Sequence, residues 1–273
     1  VNGFNKVARD HIREAYRAAQ QLSDDSPMGS QDLGVRYARA TLRTVEDCPQ
    51  PFYEAKLNTS RLHARGSFES LNREARAPLV QDWTLLDLKS AQLAVCAHLW
   101  DIGPVMSFLN DGGDIWKELT SWVGLPKPVL KKAMYSITFG AQVHWHFGSP
   151  PSTLINDLAD GANISESEAE EARQQLMAHP MMRALYQARR QHIQDIKERV
   201  FIQDCFGTVM HLSSGQAEET ASSGITAGEL TLLAAEAASY EMLLLWPAFQ
   251  EVIGKEKRCK IMLYVFDGFY IKT

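Results

Sequence analysis

The stretch Lys127-Pro-Val-Leu-Lys131-Lys-Ala-Met-Tyr135-Ser-Ile-Thr-Phe139-Gly140 carries the periodicity from which the fold can be worked out. Its apolar residues recur at helical spacing, and Lys127, Lys131, Tyr135 and Phe139 follow one another at intervals of four. On an α-helix each interval rises about 6 Å, so the four side chains form one slowly drifting stripe. Two cations followed by two aromatic rings match the polyphosphate, sugar and base of a nucleoside triphosphate. A half-buried amphipathic helix with snorkelling lysines produces the same stripe, so its chemistry has to be sought in the flanking sequence.

Upstream, Trp83-Thr-Leu-Leu is a short apolar run ending in Asp87, with a helix-like segment from about Ser90 to Trp100. Downstream, Ile261 to Thr273 is two β-rich runs meeting at Asp267-Gly268, a hairpin signal. The two aspartates stand 180 positions apart, and each interrupts a β-like run where a carboxylate is costly unless compensated. Either one alone reads more readily as a turn or helix cap.

Around these landmarks the chain is mainly helical in pattern. Helices are expected over residues 1–22 and 33–45, over a long segment at 129–143, and over 165–199 with an interruption at Pro180. Ser165 and Glu168 have the spacing of a capping box, and an Ala- and Leu-rich helix is expected from about Gly228 to Trp246. The Arg-rich stretch after Pro51 reads as irregular. An apolar content of 45% with 22% charged residues is that of a globular protein with a substantial core. No apolar run reaches the roughly 18 residues of a membrane span, and the charged, helical start does not read as a signal peptide, so a cytoplasmic location is expected. The scattered Cys48, Cys96, Cys205 and Cys259 fit reduced thiols. A net charge of −5 argues against nonspecific coating of nucleic acid, although a local basic groove remains compatible with it.

The stripe resembles the nucleotide-binding fingers helix of family A DNA polymerases, whose pattern is Arg, three residues, Lys, three residues, Phe or Tyr, three residues, Tyr-Gly. Asp87-Leu-Lys-Ser-Ala-Gln92-Leu-Ala-Val-Cys-Ala97-His98-Leu99 is similar to the family's first catalytic motif, and Phe266-Asp267-Gly268 takes the place of its His-Asp-Glu. Asn58-Thr-Ser-Arg61-Leu62 looks like its Thr-Gly-Arg-Leu-Ser, Gly113-Asp114-Ile115-Trp116 like its Asp-Ile-His, and Asp204-Cys-Phe-Gly207 like the Leu-Phe-Gly that closes its long fingers helices. The likeness runs in one consistent order from about residue 57 to 273.

The resemblance implies an α+β fold, mostly helical: a palm, a small antiparallel sheet with helices, into which helical fingers are inserted. The implied division is a helical N-terminal region and thumb remnant at 1–56, palm at 57–100, fingers at 101–225 and the rest of the palm at 226–273. It implies a template-directed DNA polymerase using two Mg²⁺ ions, with Mn²⁺ able to substitute. Asp87 and Asp267 would be catalytic carboxylates and metal ligands. Lys127 and Lys131 would hold the triphosphate, Tyr135 and Phe139 would pack on sugar and base, and Arg61 would contact the primer end. Primer-template and nucleoside triphosphates are the implied partners, with an accessory replication or processivity protein.

The departures matter. Gln92 stands where the family has Glu and Phe139 where it has Tyr, so the pair that gates the ribose 2′-hydroxyl has lost both its carboxylate and its phenol. Gly268 replaces a Glu. The room before residue 57 is too small for an exonuclease and a full thumb, which fits either a fragment or a small polymerase of poor processivity. A single-subunit RNA polymerase or primase is the first alternative, since Phe266-Asp267-Gly268-Phe269 echoes the phage enzymes' His-Asp-Ser-Phe; a palm-like module that binds nucleic acid without turnover is the second. His144 and His146 lack a third ligand nearby, and Lys255, Lys257, Arg258 and Lys260 fit a solvated turn or a duplex contact.

Overall fold

The computed structural model describes residues 2–21, 31–47, 52–56, 59–65, 71, 73–140, 143, 152–212, 225–253, 260–265 and 268–272. The chain divides into two compact units, one made of Val1–Lys89 with Glu241–Thr273, the other of Ser90–Tyr240. The second unit is thus continuous in sequence and interrupts the first.

The first unit holds helices α1 (Asn2–Gln21), α2 (Gln31–Asp47) and α3 (Arg73–Val80). Ile12, Ala15 and Ala19 lie on one face of α1, as do Ala38, Leu42 and Val45 on α2. These buried faces form one core with Ala75, Leu79, Trp83, Leu263 and Tyr270. Strands β1 (Phe52–Lys56) and β2 (Thr59–Arg65) pair antiparallel. Within the stretch expected to be irregular, the described residues therefore form two paired strands and α3. Its five-residue strand and its charged partner carry too little apolar alternation to announce themselves. Besides its pairing with β2, β1 has a remote contact: the Tyr264 amide donates to the Tyr53 hydroxyl at 2.8 Å.

Strands β3 (Thr84–Asp87), β6 (Lys260–Val265) and β7 (Gly268–Lys272) form an antiparallel sheet in the order β3-β7-β6. The expected terminal hairpin is present, with Val265 opposite Gly268 and residues 266 and 267 outside the described ones. Met242, Leu245, Tyr264 and Phe269 make a smaller apolar cluster here.

The second unit is helical: α4 (Ala91–Leu99), α5 (Gly103–Asn110), α6 (Ile115–Val123), α7 (Lys127–Phe139), α8 (Thr153–Ala162), α9 (Glu166–Ala178) and α10 (Pro180–Arg199). A small hairpin, β4 (Phe201–Gln203) and β5 (Val209–His211), follows. The long α11 (Ala227–Ile253) begins in this unit and ends in the other, running through Pro247 beyond the expected end at Trp246. The Ser165 and Glu168 capping box is formed, each residue bonding the other's backbone amide. At α7 the helix stops at Phe139 instead of continuing to Val143. Gly140 takes φ 154°, and a Cβ there would sit 3.1 Å from Leu230. Cys96 and Cys205 are free thiols.

Candidate functional site

Asp87 is the last residue of β3 and is exposed. In the β3–β7 ladder it lies opposite Gly268, with Leu86 opposite Phe269 and Leu85 opposite Tyr270. Asp267 lies outside the described residues, yet it is the covalent neighbour of Gly268, so this register joins two strand ends separated by most of the chain. The approach is close. A Cβ on Gly268 would run into the Leu86 carbonyl oxygen and stand 3.1 Å from the Asp87 Cα. That contact accounts for a glycine where the resembled family has Glu: β7 passes too near β3 for a side chain.

Arg61 is a residue of β2, and its side chain lies outside the described residues. So do His144, His146, Lys255, Lys257 and Arg258, while Lys260 opens β6 and is exposed. Among the described residues no group of three or more His, Cys, Asp and Glu is placed to hold a metal ion. No helix among them is long and apolar enough to cross a membrane.

In the helical unit, α7 carries the whole stripe. Lys127 and Lys131 are exposed, Tyr135 and Phe139 half-buried, and Val129, Leu130, Ala133, Met134 and Ile137 buried against the core. The two lysines differ in setting. Lys127 Nζ lies 6.0 Å from the ring centre of Trp116 on α6, whereas Lys131 Nζ lies 5.5 Å from that of Tyr135 within the stripe. Gln92 is half-buried in the first turn of α4, next to the buried Leu93.

Two side chains that hold α7 carry no signal in the sequence. On α8, Asp157 accepts the Ser136 hydroxyl at 2.6 Å and the Lys132 ammonium at 2.9 Å. From α10, the buried Arg189 donates to the Ile137 carbonyl at 2.8 Å, one of the last carbonyls of α7, which have no partner within the helix. A cation at a helix C-terminus also suits the helix dipole, and burial pushes the Arg189 pKa below its ordinary value. Nothing local in the sequence marks these partners, since Asp157 stands 21 residues from Ser136 and Arg189 stands 52 from Ile137.

The Asp204-Cys-Phe-Gly207 segment forms the β4–β5 turn. The buried Asp204 carboxylate accepts the amides of Phe206 and Thr208 at 2.9 and 2.8 Å, and Gly207 adopts φ 86°. Burial raises the pKa of the Cys205 thiol beside it, which keeps the thiol protonated.

No family model and no curated protein matches the sequence. Among solved structures, the chain is similar to the POL domain of Pol1 from M. smegmatis, in complex with DNA primer-template and dNTP, at a TM-score of 0.62 and 14% identity. The match covers 99% of this chain and 59% of that one. Mostly helical with a small antiparallel sheet, the chain has a polymerase-like α+β fold.

Proposed function

We propose that this chain is a template-directed DNA polymerase of the family A type, extending a primer 3′-hydroxyl and releasing pyrophosphate. The observation that carries this is the β3–β7 register, which sets Asp87 opposite Gly268 and so one residue from Asp267. In this reading residues 57–100 and 226–273 are the palm and residues 101–225 are the fingers. The neighbour of similar fold binds primer-template and dNTP, which supports nucleic acid and nucleotide as the partners.

The donor set fits magnesium, because an exposed strand-end carboxylate supplies the hard oxygen that Mg²⁺ prefers. Asp87 and Asp267 would hold two such ions, with Mn²⁺ able to substitute. When bound, the metal pair lowers the pKa of the attacking hydroxyl and stabilises charge on the leaving pyrophosphate. Lys131, with Lys127 behind it, neutralises the triphosphate. Tyr135 and Phe139 pack on sugar and base, and Gln92 limits the space beside the sugar. Arg61 contacts the primer end.

The test is single-nucleotide extension of a labelled primer-template in magnesium buffer. Wild type should extend, and Asp87→Ala and Asp267→Ala should lose extension while keeping the wild-type circular dichroism spectrum. Extension by either variant at the wild-type rate would remove the assignment. Preference for rNTP over dNTP would transfer it to an RNA polymerase or primase, and binding of primer-template with no extension would leave a binding module.

A further inference from the structure

A helix can present a stripe to a ligand only if its roll about its own axis is fixed. The buried ridge of α7 does this incompletely, because apolar contact is non-directional. The second constraint comes from α8, where Asp157 is 15% exposed and bonded to both Ser136 and Lys132. These two residues stand one turn apart, so a single carboxylate grips one edge of α7 at two points. That edge lies about 100° around the helix from Lys131 and Tyr135. The core holds α7 on one side and Asp157 on another, and the stripe occupies the remaining arc. Lys132 is 58% exposed, so water screens its contribution, and the short half-buried Ser136 bond to a carboxylate is the stronger constraint.

We propose that Asp157 is a positioning residue for nucleotide binding: through Ser136 and Lys132 it sets the roll of α7, and with it the direction in which Lys131 and Tyr135 meet a nucleoside triphosphate. This rests on the nucleotide-binding role proposed for α7. Asp157 itself touches no substrate. Its effect falls on affinity through geometry, where a displacement near 1 Å is enough to matter.

The experiment is isothermal titration calorimetry of the full chain with dATP in magnesium buffer, which gives Kd and stoichiometry separately. Asp157→Ala should raise Kd about tenfold at unchanged stoichiometry. Ser136→Ala should raise it less, and the double variant no more than Asp157→Ala alone, because the shared bond is already gone. Asp157→Asn, which keeps an oxygen for the Ser136 hydroxyl, should recover most of the affinity. A merely structural role would lower stoichiometry and Tm while leaving Kd unchanged, and that result overturns the proposal. Unchanged Kd in Asp157→Ala beside weakened binding in Lys131→Ala overturns the positioning role and leaves the site in place. Unchanged Kd in both, or no binding by wild type, overturns the nucleotide-binding role of α7 as well. If Asp157→Ala fails to fold, Ser136→Ala is read against the same criteria.

Discussion

Asp87 and Gly268 face each other across the β3–β7 ladder so closely that a Cβ on Gly268 would stand 3.2 Å from the Asp87 carboxylate oxygen and press on the Leu86 carbonyl. Gly268→Ala should therefore spread the two strands, lowering stability by about 1–3 kcal/mol and slowing extension. Gly268→Glu, the residue of the resembled family, should do no better. Urea unfolding and primer extension read the two effects, and a Gly268→Glu protein of wild-type stability would mean that the strands separate freely.

Lys131 and Lys127 should not be equivalent. The ammonium of Lys131 lies over the Tyr135 ring inside the stripe, whereas that of Lys127 rests beside Trp116 on a neighbouring helix. Lys131→Ala should raise KM for dNTP and lower kcat, with kcat/KM falling roughly ten- to a hundredfold, because its proposed role is to neutralise triphosphate charge in both ground and transition states. Lys127→Ala should cost several-fold less. Steady-state kinetics on one primer decides this, and equal, negligible effects would reduce the stripe to a solvated surface.

Sugar choice should be mainly steric. Gln92 is half-buried and keeps the length of a Glu, while Phe139 has no hydroxyl to donate to residue 92 or to a ribose. Wild type should favour dNTP over rNTP by about 1–3 kcal/mol, and Gln92→Ala should relax that ratio. Matched dNTP and rNTP extension measures it. An unchanged ratio would place the gate at another residue.

Acid should weaken the helical unit through α9. Arg173 holds Glu170 with two hydrogen bonds, at 2.7 and 2.6 Å, and these bonds pull the Glu170 pKa below its ordinary 4.5. A folded-state pKa below the unfolded one gives stability that is present above pH 4.5 and lost as pH falls through the folded value. Arg173 also donates to the Val143 carbonyl just beyond α7. Arg173→Met should be less stable than wild type at pH 7 by about 0.5–1 kcal/mol, the pair lying near screening solvent. The gap should close in acid. A gap independent of pH would show that the Val143 bond, not the ion pair, carries the effect.

How much of this is legible in the sequence depends on how local each signal is. The α7 stripe and the Ser165 capping box are spacings of a few residues, fixed by helix geometry wherever the helix lies, and both can be read directly. Asp87 and Asp267 are harder, since each alone reads as a turn cap and only strand register brings residue 87 opposite 268. The β1–β2 hairpin and the three-residue strands β4 and β5 carry too few alternating residues to stand out from loop. Asp157 and Arg189 give no signal, because a tertiary partner needs only the right side chain at the right place in space.

The order β3-β7-β6 also bears on how the protein is made. The central strand β7 is synthesised about 180 residues after β3, so at ribosomal rates of roughly 5–20 residues per second β3 waits some ten to forty seconds for its partner. Ser90–Tyr240 is continuous and can collapse as it emerges, whereas the sheet is a late, high-contact-order event. During the wait Leu85 and Leu86 lie on an unpaired edge, the kind of segment that chaperones bind and that aggregates when they do not. The sheet therefore stays incomplete until β7 docks, and the yield of folded protein should respond to chaperone supply more than to the stability of the helical unit.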